Sequence, residues 1–238
     1  MSVIKSYLVA YNVLSVLSWS YLLFLLGKAL DPSTLNLDNF WERGSSVFFQ
    51  LHQEPLIIQS TAILEVVHAA LGLVKSSPVT TLAQVFSRLF IVWFICPFFP
   101  SIPASTPFYA SMLLAWCLAE IPRYAFYATS LLGIKVNALD WIRYNAFWAL
   151  YPLGAGSEWV LISYSPDLVN EKFGEFASWV VTAFVYIWPI ALGVMITHMN
   201  TQRTKFYRKK SKLEPITSAT VGSSPATPSK RLKKRATK

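Results

Sequence analysis

The chain has 238 residues, of which 54% are hydrophobic, 15% aromatic and only 14% charged, with a mean hydropathy of +0.42. A soluble domain carries about 25% charged residues, so this composition excludes an ordinary water-soluble globule and points to one compact body built for lipid. The net charge of +9 does not signal a nucleic-acid binder, because twelve of the 21 basic residues follow Thr201 and leave the apolar body close to neutral.

Roughly twenty predominantly apolar residues cross a hydrocarbon core. Six segments meet that length, at about 7–26, 47–74, 82–100, 108–131, 140–163 and 177–199. All are expected to be helices, since a helix satisfies its own backbone in lipid and the runs lack the two-residue alternation of a barrel strand. The fold class expected is therefore an all-α integral membrane protein, a bundle of six transmembrane helices. The first run is read as a retained span rather than a signal peptide, because no small-residue cleavage site precedes the polar stretch at Asp31. In the second, Glu54-Pro55 interrupts the pattern, and an amphipathic lead-in followed by a span from about Leu56 accommodates it. Cys96 and Cys117 both sit in apolar runs, as inert core thiols do.

Six spans put both termini on one side. With both ends in the cytosol, the inner segments carry Lys5, Lys75, Arg88, Arg123, Lys135, Arg143 and the basic tail, whereas the outer ones hold only Lys28, Arg43 and Lys172 among the basic residues. That asymmetry follows the positive-inside rule. Residues 1–200 form the membrane domain in this reading, and 201–238 a cytosolic tail. From Lys205 the composition turns to Lys, Ser, Thr and Pro, ending in "SPATPSKRLKKRATK". Such a stretch buries too little apolar surface to fold, so a disordered basic tail is expected, serving as a solvated positive-inside anchor rather than a nucleic-acid contact.

An ionisable residue deep in a span costs on the order of 2.5 to 3.5 kcal/mol on insertion scales, so each one invites a functional reading. Glu65 and His68, in "LEVVHAALGLV", lie three apart on one helical face. Glu-x-x-His serves di-iron sites in helix bundles only as one of two copies with further carboxylates, so a polar pair that packs helices is favoured over a metal site. In "CLAEIPRYAFY", Cys117 and Arg123 have the Cys-x5-Arg spacing of a phosphatase loop. A phosphate cradle needs curled backbone, and this glycine-free apolar helix argues against it; Glu120 and Arg123 read instead as an ion pair at i, i+3. In "DWIRYNAFWALYPLGAGSEWVLI", Tyr144, Tyr151 and Glu158 recur every seven residues, so an unbroken helix puts all three on one side. Pro152, Gly154 and Gly156 fall between the last two and invite a kink that would bring phenol and carboxyl together. On residues alone, a site and a packing aromatic beside an interfacial carboxylate explain this block equally well.

The blocks "YNVLSVLSW", "LEVVHAALGLV", "SRLF", "EIPRYAFY" and "WIRYNAFWALYPLGAGSE" resemble, in order, the 3-hydroxyacyl-CoA dehydratases, also labelled protein-tyrosine-phosphatase-like. The last block is the most specific: the family's catalytic Tyr and Glu, set in Tyr-Pro-x-Gly-x-x-x-Glu, fall on Tyr151 and Glu158. The resemblance implies a six-span lyase of the endoplasmic reticulum membrane. It implies removal of water from (3R)-3-hydroxyacyl-CoA to give trans-2-enoyl-CoA, the third step of very-long-chain fatty acid elongation, beside a condensing enzyme and reductases as partners. No metal or redox cofactor is implied. Family members often end in a dilysine retrieval signal, from which the final "RATK" departs.

Eliminating water needs a base for the C2 proton and an acid for the leaving hydroxyl. The expected division makes a neutral Glu158 the donor and Tyr151, helped by a nearby cation, the base. Arg123 and Arg143, with Lys135 less strongly, are candidates for the CoA phosphates, and Glu120 and Tyr144 for supporting polar roles. Two other classes share some of these features: a transporter with a Gly/Pro-interrupted helix, and a catalytically silent scaffold with the dehydratase fold.

Overall fold

The computed structural model describes residues 2–31 and 39–221, with side chains described as far as Arg208. Among these residues every regular element is helical. In chain order they are α1 (Val3–Leu30), α2 (Phe40–Gln50), α3 (Gln53–Ser60), α4 (Ile63–Ala70) and α5 (Pro78–Leu89); a π-helical stretch (Phe90–Ile95) then leads into α6 (Cys96–Phe98) and α7 (Ser101–Ser105). The remainder comprises α8 (Phe108–Leu132), α9 (Asn137–Asn145), α10 (Phe147–Ser163), α11 (Pro166–Phe173) and α12 (Glu175–Val221). The chain divides into two units, Met1–Met199 and Asn200–Lys238.

Among the described residues, three helices are long and apolar enough to cross a membrane: Val3–Leu30, Pro78–Phe98 and Glu175–Arg208. Their surfaces show what solvent they suit. In α1 the buried residues are Leu8, Asn12, Ser15, Trp19, Leu22 and Leu26, spaced alternately four and three apart, which is one narrow seam along a helix. The other faces are just as apolar, with Tyr7, Val13, Leu14, Leu17, Tyr21 and Phe24 exposed. A helix that is apolar all round yet buried on a single stripe fits a hydrocarbon surround rather than water. α12 follows the same logic, burying Val181 and Trp188 while Trp179, Tyr186, Ile190 and Val194 are exposed.

α8 is the centre of the first unit and packs against α1, α10 and α2. Its contact with α10 is close because small residues line it: a Cβ added to Gly154 would stand 3.4 Å from the Ala115 Cβ, and the Ser111 and Ser157 hydroxyls are 2.7 Å apart. Small residues let helix backbones approach in lipid, where no hydrophobic force drives association. Gly133 ends α8 in the left-handed conformation at φ 79°, its N–H returning to the Ser130 and Thr129 carbonyls.

Two of the six expected spans are not single helices. The segment 47–74 is cut into α2, α3 and α4. Pro55 sits in the first turn of α3, where its missing N–H costs nothing. The second cut, at Thr61-Ala62, comes where Ser60 and Thr61 turn their hydroxyls back onto the Leu56 and Ile58 carbonyls, and the backbone passes to three-residue bonds from Thr61 to Ile58 and from Ala62 to Gln59. The segment 140–163 is divided at Ala146 into α9 and α10. Between Tyr151 and Glu158 the helix is continuous, α10 running through Pro152, Gly154 and Gly156. In the third segment the helix continues but widens over Phe90–Ile95, with the Cys96 N–H reaching back to the Ile91 carbonyl. Widening just before Pro97 relieves the clash that a proline ring makes with the preceding turn.

The tail expected to lack regular structure from Lys205 is instead helical as far as Val221. Residues 222–238, which hold the rest of that expectation, lie outside the described residues.

Candidate active site

Glu158 is carried by α10 and is only 7% exposed. Its carboxyl is approached by two indoles from other helices: Trp116 of α8 donates its Nε1–H to Oε1 at 2.7 Å, and Trp188 of α12 donates to Oε2 at 3.2 Å. A buried carboxyl needs such donors to offset the loss of water. Tyr151 stands two turns earlier on the same helix, half-buried, with its ring against Phe147 at 6.1 Å. Seven residues at 1.5 Å separate the two along the axis by about 10.5 Å, and their i, i+7 spacing keeps them on one side.

Beside this pair lies a chain of four charges that binds α4, α5 and α8 together. Arg88 of α5 donates to Glu120, whose other oxygen accepts the Arg123 Nε–H at 2.6 Å. The far edge of the Arg123 guanidinium grips Glu65 of α4 in a two-pronged pair, Nη1 and Nη2 each 2.7 Å from one carboxylate oxygen. Tyr124 adds its hydroxyl to Glu65. Two carboxylates and two guanidiniums cancel, which is how ionisable groups are accommodated at membrane depth. Arg88 also joins this chain to the carboxyl: its guanidinium lies 5.2 Å from the centroid of the Trp116 ring that bonds Glu158.

The expected residues therefore divide. Glu120 and Arg123 form the ion pair read from their spacing, extended at both ends by Arg88 and Glu65. Arg123 has its guanidinium on two carboxylates. Arg143 lies over the Phe126 and Tyr127 rings at 4.6 and 5.0 Å and donates to the Tyr127 hydroxyl at 3.4 Å. Lys135 lines a cleft of about 320 Å³ with Thr129, Ser130 and Asp140, where α8 gives way to α9. Tyr144 belongs to α9, so the break at Ala146 separates it from the helix that carries Tyr151 and Glu158.

Glu65 and His68 both serve helix packing, through separate partners: Glu65 meets Arg123 and Tyr124, whereas His68 Nε2 lies 2.8 Å from the Tyr7 hydroxyl on α1. Cys117 and Arg123 lie in continuous α8 with the thiol fully buried, so the backbone between them is no phosphate cradle. Nothing in the sequence around Trp116, Trp188 or Arg88 marks them as partners of Glu158 or of its charge chain. Their separations from Glu158, 42 and 30 positions for the two indoles, leave no local pattern to read.

Among the described residues, an all-helical body with three helices fit to cross a membrane, and a buried carboxyl with a half-buried phenol beside a neutralised charge chain, defines the class: a helical protein suited to lipid with an internal polar site. The chain belongs to the protein tyrosine phosphatase-like (PTPLA) family, whose model matches residues 59–209. It is 37% identical over 208 residues to a probable very-long-chain (3R)-3-hydroxyacyl-CoA dehydratase of Schizosaccharomyces pombe, covering 85% of this chain and 93% of that one. A very-long-chain (3R)-3-hydroxyacyl-CoA dehydratase of Caenorhabditis elegans is 40% identical over 172 residues, 71% of this chain and 74% of its own. The human very-long-chain (3R)-3-hydroxyacyl-CoA dehydratase 2 is 31% identical over 216 residues, 84% of this chain and 80% of its own. No solved structure matches this chain.

Proposed function

We propose that this chain is a very-long-chain (3R)-3-hydroxyacyl-CoA dehydratase that converts its substrate to the trans-2-enoyl-CoA in the third step of fatty acid elongation. The observation that carries the reading is the buried Glu158 carboxyl, held by two indoles two turns from Tyr151 on one helix. The dehydratase names of its relatives support it. In the reaction, the C2–H bond breaks and its electrons form the C2–C3 double bond. The C3–O bond breaks, and the hydroxyl leaves as water with a proton from the acid. Glu158 supplies that proton and Tyr151 takes the one from C2. A phenol acts as a base only as its anion, and such an anion needs positive charge beside it; Arg88, whose guanidinium covers the Trp116 ring that bonds Glu158, is the cation assigned to that role.

The protein resides in the endoplasmic reticulum membrane with both termini cytosolic. Its six crossings are the three long apolar helices, α8, and the two interrupted segments α2–α4 and α9–α10. α8, at 25 residues, extends about 37 Å. The acyl chain lies among the helices and the CoA stays at the cytosolic side, with Arg143 near its phosphates and the condensing enzyme and reductases of the cycle as neighbours. Purified protein in detergent, given (3R)-3-hydroxyacyl-CoAs of graded chain length, should release the trans-2-enoyl product. A protein that is folded and monodisperse but forms no enoyl-CoA at any length would overturn the assignment.

A further inference from the structure

The two indoles at Glu158 do more than fill space. A tryptophan N–H can be satisfied by any acceptor, as the exposed Trp159 shows by donating to the Val185 carbonyl at 2.9 Å. Trp116 and Trp188 come from two different helices and converge on one carboxyl, one donor to each oxygen. Two donors on two oxygens define the carboxyl plane and stop its rotation about the terminal bond, which is otherwise broad and two-fold.

The donors are themselves fixed. Trp116 is 2% exposed, held edge-to-face by Trp19 at 6.4 Å and covered by the Arg88 guanidinium. Trp188 stands edge-on to Phe184 at 6.3 Å. An indole N–H donates and never accepts, so neither ring competes for the proton that a reacting carboxyl exchanges. Each carboxyl oxygen also has more than one lone-pair site, which leaves room at both for a substrate hydroxyl.

We propose that Trp116 and Trp188 are positioning residues that clamp the Glu158 carboxyl in its reacting orientation, Trp116 as the principal donor and Trp188 as the weaker one. This rests on the reading of Glu158 as a reacting group. Orientation acts on the chemical step rather than on substrate affinity, so the loss belongs in kcat.

The test replaces each tryptophan in turn, by site-specific incorporation into the full chain, with benzothienylalanine, which keeps the ring's volume but carries sulfur in place of N–H. A parallel series uses 7-azatryptophan, which keeps the N–H. At position 116 the sulfur analogue should lower kcat about tenfold or more, the worth of a hydrogen bond to the carboxyl as it becomes charged on giving up its proton, while KM stays within about twofold. The loss at position 188 should be smaller, and the aza analogue should retain activity at both. Trp188→Phe, at the less buried position, provides a second N–H-free variant. Wild-type kcat in the sulfur analogues, with Glu158→Gln inactive, would overturn the clamp and leave the reaction assignment standing. Equal losses in sulfur and aza analogues would also overturn it, by showing that ring packing alone matters. Normal turnover by Glu158→Gln would instead remove the reading on which the clamp rests.

Discussion

Arg123 and Glu65, 58 positions apart in sequence, meet as a two-pronged ion pair whose nitrogen–oxygen distances are both 2.7 Å. The pair ties α4 to α8, and through Glu120 it reaches Arg88 on α5. Arg123→Leu leaves Glu65 without its cation and Glu120 with only one. Breaking a buried pair from one side costs about 3 to 5 kcal/mol, whereas removing both partners costs far less. Thermal unfolding in detergent should therefore show Arg123→Leu well below wild type and the Glu65→Leu/Arg123→Leu double variant partly recovered. Equal loss in the single and double variants would show that the pair is not what holds α4.

Two glycines should respond in opposite directions. A Cβ on Gly44 would fall 2.4 Å from the Pro107 Cβ, so α2 can meet the start of α8 only without a side chain there. Gly27, near the end of α1, has no neighbour within 4 Å of an added Cβ. Gly44→Ala should destabilise by about 1 to 3 kcal/mol through overpacking. Gly27→Ala should stabilise by about 0.5 to 1 kcal/mol through helix propensity. Unfolding midpoints of the two variants, measured side by side, check both signs.

Much of this architecture is legible wherever an interaction is local. Uninterrupted hydropathy marks α1 and places α8 within one residue of its observed end, and the Glu120–Arg123 pair is visible because three residues bring side chains together on a helix. Hydropathy cannot see Ser60 and Thr61 turning their hydroxyls onto the preceding carbonyls, so the second segment reads as longer than any helix in it. The division at Ala146 likewise puts Tyr144 on α9 and leaves Tyr151 and Glu158 together on α10. Arg88, Trp116 and Trp188 reach the site through tertiary packing across tens of residues, and nothing in their local spacing marks them.

Tyr151→Phe and Glu158→Gln each remove one of the groups to which the proposed reaction assigns proton transfer, while keeping shape. General acid–base catalysis contributes about 10²- to 10⁴-fold per group, so each variant should lose at least that much turnover on a long-chain (3R)-3-hydroxyacyl-CoA. Neither should change the unfolding midpoint as Arg123→Leu does. Near-normal turnover in either variant would remove that residue from the mechanism.

Arg143 is the better placed of the two arginines to meet a CoA phosphate, because it rests on aromatic rings while Arg123 is occupied by two carboxylates. Arg143→Ala should raise KM for the acyl-CoA about tenfold or more, the worth of a charge-assisted hydrogen bond, with kcat little changed. A shortened thioester without the nucleotide phosphates should show no such rise. An equal rise for both substrates would mean that the residue acts through packing on Phe126 and Tyr127.

Cys117 tests the chemistry suggested by the phosphatase-like family name. A phosphatase thiol must stand exposed in a loop of curled backbone, whereas Cys117 is fully buried in α8 beside other core side chains. Cys117→Ala should therefore keep dehydration near the wild-type rate and lower the unfolding midpoint only slightly, since replacing a small buried thiol by a methyl leaves little empty space. N-ethylmaleimide should leave Cys117 unlabelled in the folded protein and label it after denaturation. Rapid labelling in the native state, or loss of turnover in a well-folded Cys117→Ala protein, would assign the thiol a role that its burial excludes.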